Sequence, residues 1–149
     1  MHRRGGGGPA VIVLQGPPGV GSVVEGEVLR SRQGFNARYD LDRRRGVFSR
    51  PSHDLYEKSC VDRVLVFSAA KGGIATSWAL LDLKARGLAP AALIFRRTNP
   101  VMVQGAVLAD IPLLHLLEPD PVAALRTGDW VRITPEQGLV ELIRRPGVD

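Results

Sequence analysis

An apolar run that passes through a lysine–glycine–glycine turn into a helical pattern most constrains the fold of this chain. Val64–Phe67 is uninterrupted by polar residues, as is typical of a strand covered on both faces. After Lys71-Gly72-Gly73, the spacing of apolar residues predicts an amphipathic helix over residues 74–86, ended by Gly87. The apolar stripe of this helix consists of Ile74, Trp78, Leu81 and Ala85. Strand, turn and helix in this order predict an α/β fold.

The turn between this strand and helix is a candidate anion-binding site. A helix that begins at Gly72-Gly73 presents unpaired backbone N–H groups and the positive end of its dipole. Lys71 adds a full positive charge, and Thr76 and Ser77 place hydroxyls in the first helical turn. These hydroxyls can contact a bound carboxylate or phosphate, or bond to the local backbone. The alternative is a tight strand-to-helix connection that binds no ligand.

A second glycine-rich segment, residues 16–21, resembles a nucleotide-binding loop but lacks the residues that the chemistry needs. Such a loop requires lysine and then serine or threonine after its last glycine, to contact the phosphates and magnesium. Ser22 and Val23 occupy those positions. Residues 23–29 are rich in β-branched residues and predict a strand where a nucleotide-binding loop would be followed by a helix. We therefore do not expect nucleotide hydrolysis.

Length and composition predict one folded domain. The chain has 149 residues, 44% of them hydrophobic, which suffices for a single core. Residues 1–20 are expected to form a flexible tail, since their apolar stretch is too short for a signal peptide, and residues 21–149 the domain. The lone cysteine, Cys60, predicts neither a disulfide nor a metal site. A cytoplasmic protein without a membrane span is expected.

Arginine supplies the net charge of +5, with 17 arginines against 3 lysines. Arginine suits bidentate contacts to carboxylate and phosphate, so an acidic substrate or protein partner is expected. Arg43–Arg45 and Arg96–Arg97 form short clusters, but aromatic residues make up only 5% of the chain, and no stacking motif accompanies them. Nucleic acid is therefore not an expected partner. A solvated charged surface is the commonest role of such arginine clusters.

The rest of the chain alternates strand and helix patterns. A second buried strand over residues 91–95 should pair in parallel with the first, because a helix connects the two. Gly105 is expected to mark close helix packing. The other predicted elements are a helix over 101–109, a strand over 111–114, a short helix over 120–125 and a hairpin of residues 130–134 and 139–143.

The order of several short motifs over residues 21–143 resembles the small subunit, or swivel domain, of the aconitase X family. The motifs are Gly26-Glu-Val-Leu29, His53, Lys71-Gly72, Gly87-Leu-Ala-Pro90, Gly105–Pro112 and Thr127-Gly128-Asp129. The resemblance implies a swivelling β/β/α domain, with a mixed, barrel-like sheet and helices on one side. It also implies a heterodimer with a large subunit that carries an iron or iron–sulfur centre, with no cofactor on this chain.

The activity implied by the resemblance is that of a hydro-lyase, inactive without its large subunit. Known relatives dehydrate cis-3-hydroxy-L-proline or 5-phosphomevalonate. A small anionic hydroxy acid like cis-3-hydroxy-L-proline is the favoured substrate here, and 5-phosphomevalonate is the alternative. Lys71, Gly72, Gly73 and His53 are the expected substrate-binding residues.

One departure from the family pattern concerns the catalytic base. The family turn typically reads Lys-Gly-Ser, and the serine removes a proton from the substrate, whereas this chain has Gly73 at that position. Thr76 and Ser77 are the candidate replacements. The other hypotheses are a base on the large subunit, a different reaction, or a non-catalytic binding or regulatory module.

The loops before the central strand hold further polar candidates. His53 could contact substrate or transfer a proton near neutral pH, or bond only to neighbouring backbone. Arg38, Tyr39 and Asp40 could line the same cleft, with a solvated loop as the simpler interpretation.

Overall fold

A computed structural model describes residues 12–147. Within this range the chain forms nine strands and three α-helices. The strands are β1 Val13–Gln15, β2 Val24–Arg30, β3 Leu41–Asp42, β4 Val47–Phe48, β5 Arg63–Ala69, β6 Ala92–Arg97, β7 Leu113–His115, β8 Trp130–Thr134 and β9 Leu139–Arg144. The helices are α1 Ile74–Ala85, α2 Pro100–Ala109 and α3 Pro121–Ala124, and a 3₁₀ turn spans Pro135–Gln137.

Seven strands form one mixed sheet in the order β1-β9-β8-β2-β5-β6-β7. β2, β5, β6 and β7 pair in parallel, whereas β1, β9, β8 and β2 pair antiparallel. The two edges of the sheet approach each other, because Gln15 bridges to Glu118 and Val20 bridges to Leu113. The sheet therefore curls into a barrel, as the fold class expected from the sequence requires.

The strands place two cores on opposite faces of this sheet. Val64 and Val66 of β5 belong to the barrel interior, while Leu65 and Phe67 belong to an outer layer, because successive side chains of a strand point to opposite faces. The outer layer lies beneath α1, α2 and the β3–β4 hairpin, so the two long helices lie on one side. α3 contributes Val122 to the barrel interior.

Most elements predicted from the sequence are present. β5 and β6 pair in parallel, and Asp120 caps α3 by accepting a hydrogen bond from the Val122 N–H. Gly105 marks close packing, as expected: a Cβ there would lie 2.8 Å from the Ser77 Cα of α1. The segment after residues 16–21 is β2, so the helix that a nucleotide-binding loop needs does not follow it.

Two predictions are wrong. The tail does not extend to residue 20, because β1 pairs with β9 and Val20 bridges to β7. Residues 1–11 of the expected tail lie outside the described residues. The apolar stripe of α1 is not the face that packs on the core either: Ile74 is 70% and Trp78 is 65% exposed, and of the four residues only Leu81 is partly buried against the core. The buried face of α1 carries Thr76, Ser77, Ala79, Leu80 and Leu83.

Candidate functional site

A polar pocket of about 340 Å³ opens at the carboxyl end of β5, beside the lysine–glycine–glycine turn. The carboxyl ends of parallel strands are a common ligand-binding edge in α/β proteins. The pocket is formed by two loops that precede β5, by Ser68 near the end of β5 and by Lys71 beyond it. Its lining consists of Gln33, Gly34, Asn36, Asp40, Arg50, Ser52, His53, Ser68 and Lys71.

The backbone of the turn is fixed by its neighbours. Phe35 donates its N–H to the Ala69 carbonyl, and its own carbonyl accepts from the Lys71 N–H, both at 2.9 Å. Phe35 is anchored in turn by stacking on Phe67, with ring centroids 4.4 Å apart. Gly34 lies so close to Lys71 that a Cβ there would meet the lysine Cε at 2.6 Å. The lysine side chain therefore passes over Gly34 at the pocket, where it supplies a positive charge.

The two glycines of the turn differ in what they require. Gly72 has φ +98°, a conformation that favours glycine, and a Cβ there would lie within 2.4 Å of the Thr76 hydroxyl. Gly73 has φ −106° and precedes α1 as its N-cap residue. A Cβ at Gly73 would meet nothing within 4 Å. A serine at position 73, as the family pattern has it, would therefore fit without rearrangement.

The hydroxyls of Thr76 and Ser77, the two candidate bases, are both bonded within the protein. Thr76 is 1% exposed and donates to the Lys71 carbonyl at 3.3 Å. Ser77 is 4% exposed and donates to the Val101 carbonyl of α2 at 2.8 Å. In this arrangement Thr76 supports the turn and Ser77 joins α1 to α2. The role of either residue as a base stays a prediction.

Ser68 is a third hydroxyl near the turn, which the sequence reasoning missed. It lies two residues after Val66 on the same face of β5, is half-buried and lines the pocket. The signal that could have identified it is its position at the carboxyl end of the predicted buried strand, where α/β sheets commonly bind ligands.

His53 lies in the wall of the pocket with both ring nitrogens bonded to the backbone. Nδ1 accepts from the Leu55 N–H at 3.1 Å, which assigns the ring proton to Nε2, and Nε2 donates to the Gly34 carbonyl at 2.9 Å. The ring is buried and stacks on Phe48 with centroids 5.1 Å apart. This geometry lets His53 hold Gly34 in position; a direct substrate contact stays a prediction.

Asp40 organises the loop on the other side of the pocket. Its carboxylate accepts from the Asn36 N–H at 2.8 Å and forms an ion pair with Arg50 Nε at 3.1 Å. Asp40 is buried, so the solvated-loop interpretation is wrong for this residue, whereas Arg38 and Tyr39 are exposed. Sequence reasoning missed Asn36 and Arg50, because the contacts that unite them depend on the fold of two separate loops.

The other residues singled out in the sequence lie elsewhere. Arg96 forms a bidentate ion pair with Asp120 at 2.8–3.2 Å, and the hydrogen bonds from Arg96 lower the pKa of the Asp120 carboxyl. Arg43 pairs with Asp82 of α1 at 3.4 Å. Cys60 is fully buried, and burial raises the pKa of its thiol to about 11.

Clusters of potential metal ligands and membrane-spanning helices are both absent among residues 12–147. No group of three or more His, Cys, Asp or Glu side chains in this range is arranged to hold a metal ion. No helix in the same range has the length and hydrophobicity needed to cross a bilayer.

Comparison with known proteins gives a consistent result. A family model for the aconitase X swivel domain matches residues 13–142. The phosphomevalonate dehydratase small subunit of Methanosarcina acetivorans is 37% identical over 83% of this chain and 85% of its own length. The corresponding subunit of Pyrococcus horikoshii is 34% identical over 84% of this chain and 92% of its own length. The crystal structure of Thermococcus kodakaraensis aconitase X in its holo form superimposes with a TM-score of 0.83 at 31% identity, covering 92% of this chain and all of that one.

Proposed function

Because the chain belongs to the aconitase X swivel domain family, we propose that it is the small subunit of a two-subunit dehydratase acting on a phosphorylated hydroxy acid like 5-phosphomevalonate. The names of its curated relatives support this substrate over cis-3-hydroxy-L-proline, the substrate favoured from the sequence. Identities of 34–37% over more than four fifths of the chain support the assignment of this chain as a small subunit that works with a separate large subunit.

The observation that carries the proposal is the open pocket beside Lys71, at the carboxyl end of β5. Lys71 is exposed and adjoins the first turn of α1, where backbone N–H groups favour an anion. The pocket can bind the carboxylate of a hydroxy acid between this charge and those donors. A surface of the large subunit would close it from the solvent side.

Dehydration needs a group that removes a proton from carbon while the neighbouring hydroxyl leaves as water. Three hydroxyls of this chain are candidates for that group. Ser68 is the best placed, since it lines the pocket, whereas Thr76 and Ser77 would first have to release their carbonyl partners. Such a hydroxyl would receive the substrate proton and pass its own proton on to the departing hydroxyl group, which then leaves as water. Lys71 would hold the carboxylate throughout.

The exposed face of α1 is the proposed contact with the large subunit. Ile74 and Trp78 expose large apolar side chains within the first two turns of α1, next to the pocket that the partner has to close. Burial of such side chains typically stabilises an interface by about 1.5–3 kcal/mol each. Trp78→Arg should therefore weaken association by at least about tenfold. Val107→Arg on the outer face of α2, where Val107 is 56% exposed, is the matched control.

Co-expression with the candidate large subunit tests the proposal. The purified complex should convert 5-phosphomevalonate to a product that has lost one water, detected by mass spectrometry, and should leave cis-3-hydroxy-L-proline unchanged. Turnover of cis-3-hydroxy-L-proline alone would overturn the substrate assignment. Failure of the two chains to associate would overturn the subunit assignment.

A non-catalytic binding module is the second candidate, and the absence of a hydroxyl at Gly73 favours it. A complex that assembles and binds 5-phosphomevalonate without turnover would support this alternative. Gly73→Ser would then be the informative variant, because its side chain has open space around it.

A further inference from the structure

Three arginines meet at the barrel rim, in a pocket of about 400 Å³ separate from the one beside Lys71. Arg30 ends β2, Arg32 lies two residues beyond it, and Arg96 lies near the end of β6. Val122 and Ala123 of α3 complete the lining. The function proposed above assigns no role to these arginines.

The sheet register places Arg30 and Arg96 on the same face. Arg30 pairs with Val66 of β5, and Val66 pairs with Ile94 of β6. Val66 and Ile94 belong to the barrel interior, and strand alternation puts Arg96 on the same face as Ile94. The two guanidiniums therefore flank the end of β5 from either side.

The pocket carries more positive than negative charge. Among residues 12–147, one carboxylate forms an ion pair with any of these three guanidiniums: Asp120 pairs with Arg96. Arg30 donates from Nη1 to the Val122 carbonyl at 2.8 Å, while its Nε is buried without a hydrogen-bond partner in the described part of the chain. Arg32 is exposed. Two guanidiniums thus retain donors for an anion, and a buried donor is costly to leave unbonded.

The chemistry of this donor set suits a phosphate monoester. Guanidinium groups bind phosphate oxygens through two parallel N–H bonds, which gives orientation as well as charge. Two arginines in addition to the Arg96–Asp120 pair match the charge of a phosphate dianion. A carboxylate, with one charge and two oxygens, would use fewer of the available donors.

Neighbouring residues of the chain line the arginine pocket and the pocket beside Lys71. Arg32 lines the first pocket and Gln33 the second. Ser68, which also lines the second pocket, lies at the end of β5, the strand between β2 and β6. A ligand with a hydroxy acid at one end and a phosphate at the other could occupy both pockets. We propose that Arg30, Arg32 and Arg96 form a phosphate subsite for the distal phosphate of such a ligand, an inference that rests on the proposed function for its substrate.

Two measurements separate the subsite from the activity. In the first, the full chain is titrated with inorganic phosphate at constant ionic strength while arginine Nε–Hε signals are followed by NMR. Arg30 and Arg32 signals should shift saturably, and chloride at matched ionic strength should leave them unchanged. Arg32→Gln should weaken phosphate binding at least fivefold. Arg45→Gln, the same charge change at a residue with a 70% exposed side chain, should not.

The second measurement uses the assembled complex. Arg30→Gln and Arg32→Gln should raise KM for 5-phosphomevalonate at least tenfold, with little change in kcat. With unphosphorylated mevalonate as the substrate, wild type and both variants should show the same weak turnover. Since Arg30 also bonds to α3, the exposed Arg32 decides the case if Arg30→Gln fails to fold.

The outcomes distinguish the two proposals. A complex without dehydratase activity but with saturable phosphate shifts would retain the subsite and remove the substrate assignment. Phosphate shifts spread over all arginines, or equal effects of Arg32→Gln and Arg45→Gln, would overturn the subsite whatever the activity.

Discussion

Replacing each glycine of the turn by alanine should have very different effects on stability, although the two residues are adjacent. At Gly72, φ +98° makes any side chain unfavourable by about 1–2 kcal/mol. The added methyl would also lie 2.4 Å from the Thr76 hydroxyl. That hydroxyl would have to abandon the Lys71 carbonyl, which costs about 1 kcal/mol more. Reduced freedom of the unfolded chain offsets about 0.4–1 kcal/mol.

The expected net effect of Gly72→Ala is a loss of about 2 kcal/mol of unfolding free energy, estimated from those contributions. For a chain of this length, that corresponds to a fall in Tm of about 4–8 °C. Gly73→Ala is the matched control, because a Cβ there meets nothing within 4 Å and φ is −106°. We expect it to change the unfolding free energy by less than about 1 kcal/mol, because alanine is a poorer N-cap residue than glycine while reduced freedom of the unfolded chain offsets part of that cost.

Urea denaturation followed by circular dichroism measures both variants under the same conditions. The reasoning requires a clear gap between them, with Gly72→Ala the less stable. Equal unfolding free energies would show that the turn tolerates side chains at both positions. The geometry assigned to the anion-binding turn would then be wrong.

Three further predictions concern the packing around the site. Cys60 should resist thiol reagents at pH 8 while the chain is folded, because burial raises its folded-state pKa from 9.0 to about 11. For the same reason its contribution to stability should be present below about pH 9 and lost between pH 9 and 11. Urea titrations of wild type and Cys60→Ala across that pH range check this. Gly105→Ala should lower the unfolding free energy by about 1–2 kcal/mol, although alanine favours helices, because its Cβ would meet the Ser77 Cα at 2.8 Å. A neutral or stabilising result by urea denaturation would contradict the close packing. Asp129→Asn should lower the unfolding free energy by about 3 kcal/mol in the same assay, because the buried carboxylate accepts two hydrogen bonds from Arg145 at 2.9 Å. A loss below about 1 kcal/mol would contradict this role of the ion pair.

Local signals explain why the sequence predicted the frame of the site. The apolar run Val64–Phe67, Gly87 and Asp120 each specify an element boundary through residues close in the chain. The turn at Lys71 follows from the same local pattern. Such features need no knowledge of distant neighbours.

The inner face of α1 could not be predicted in this way. Gly105 of α2 approaches the Ser77 backbone, so the face of α1 that carries Ser77 is the face that packs on α2. Thr76, Ser77 and Ala79 face inward beside two leucines, and Ile74 and Trp78 are left outside. Periodicity of apolar residues alone assigns the opposite face.

The polar lining of the pocket escaped prediction for a related reason. Asp40 meets Arg50 across a loop, and His53 reaches the Gly34 carbonyl 19 residues away. Neither contact leaves a spacing that a single sequence displays. The barrel closure between β1 and the segment after β7 is equally non-local.

Steady-state kinetics of the assembled complex test the central claim, that the pocket beside Lys71 binds and deprotonates the substrate. Lys71→Ala should raise KM about 10–100-fold, the equivalent of one charge-assisted hydrogen bond, while Lys58→Ala, at an exposed lysine outside the pocket, should not. Alanine at the true base, expected at Ser68 and otherwise at Thr76 or Ser77, should lower kcat at least about 100-fold with KM retained. Wild-type kinetics for Lys71→Ala and for all three hydroxyl variants would contradict the claim.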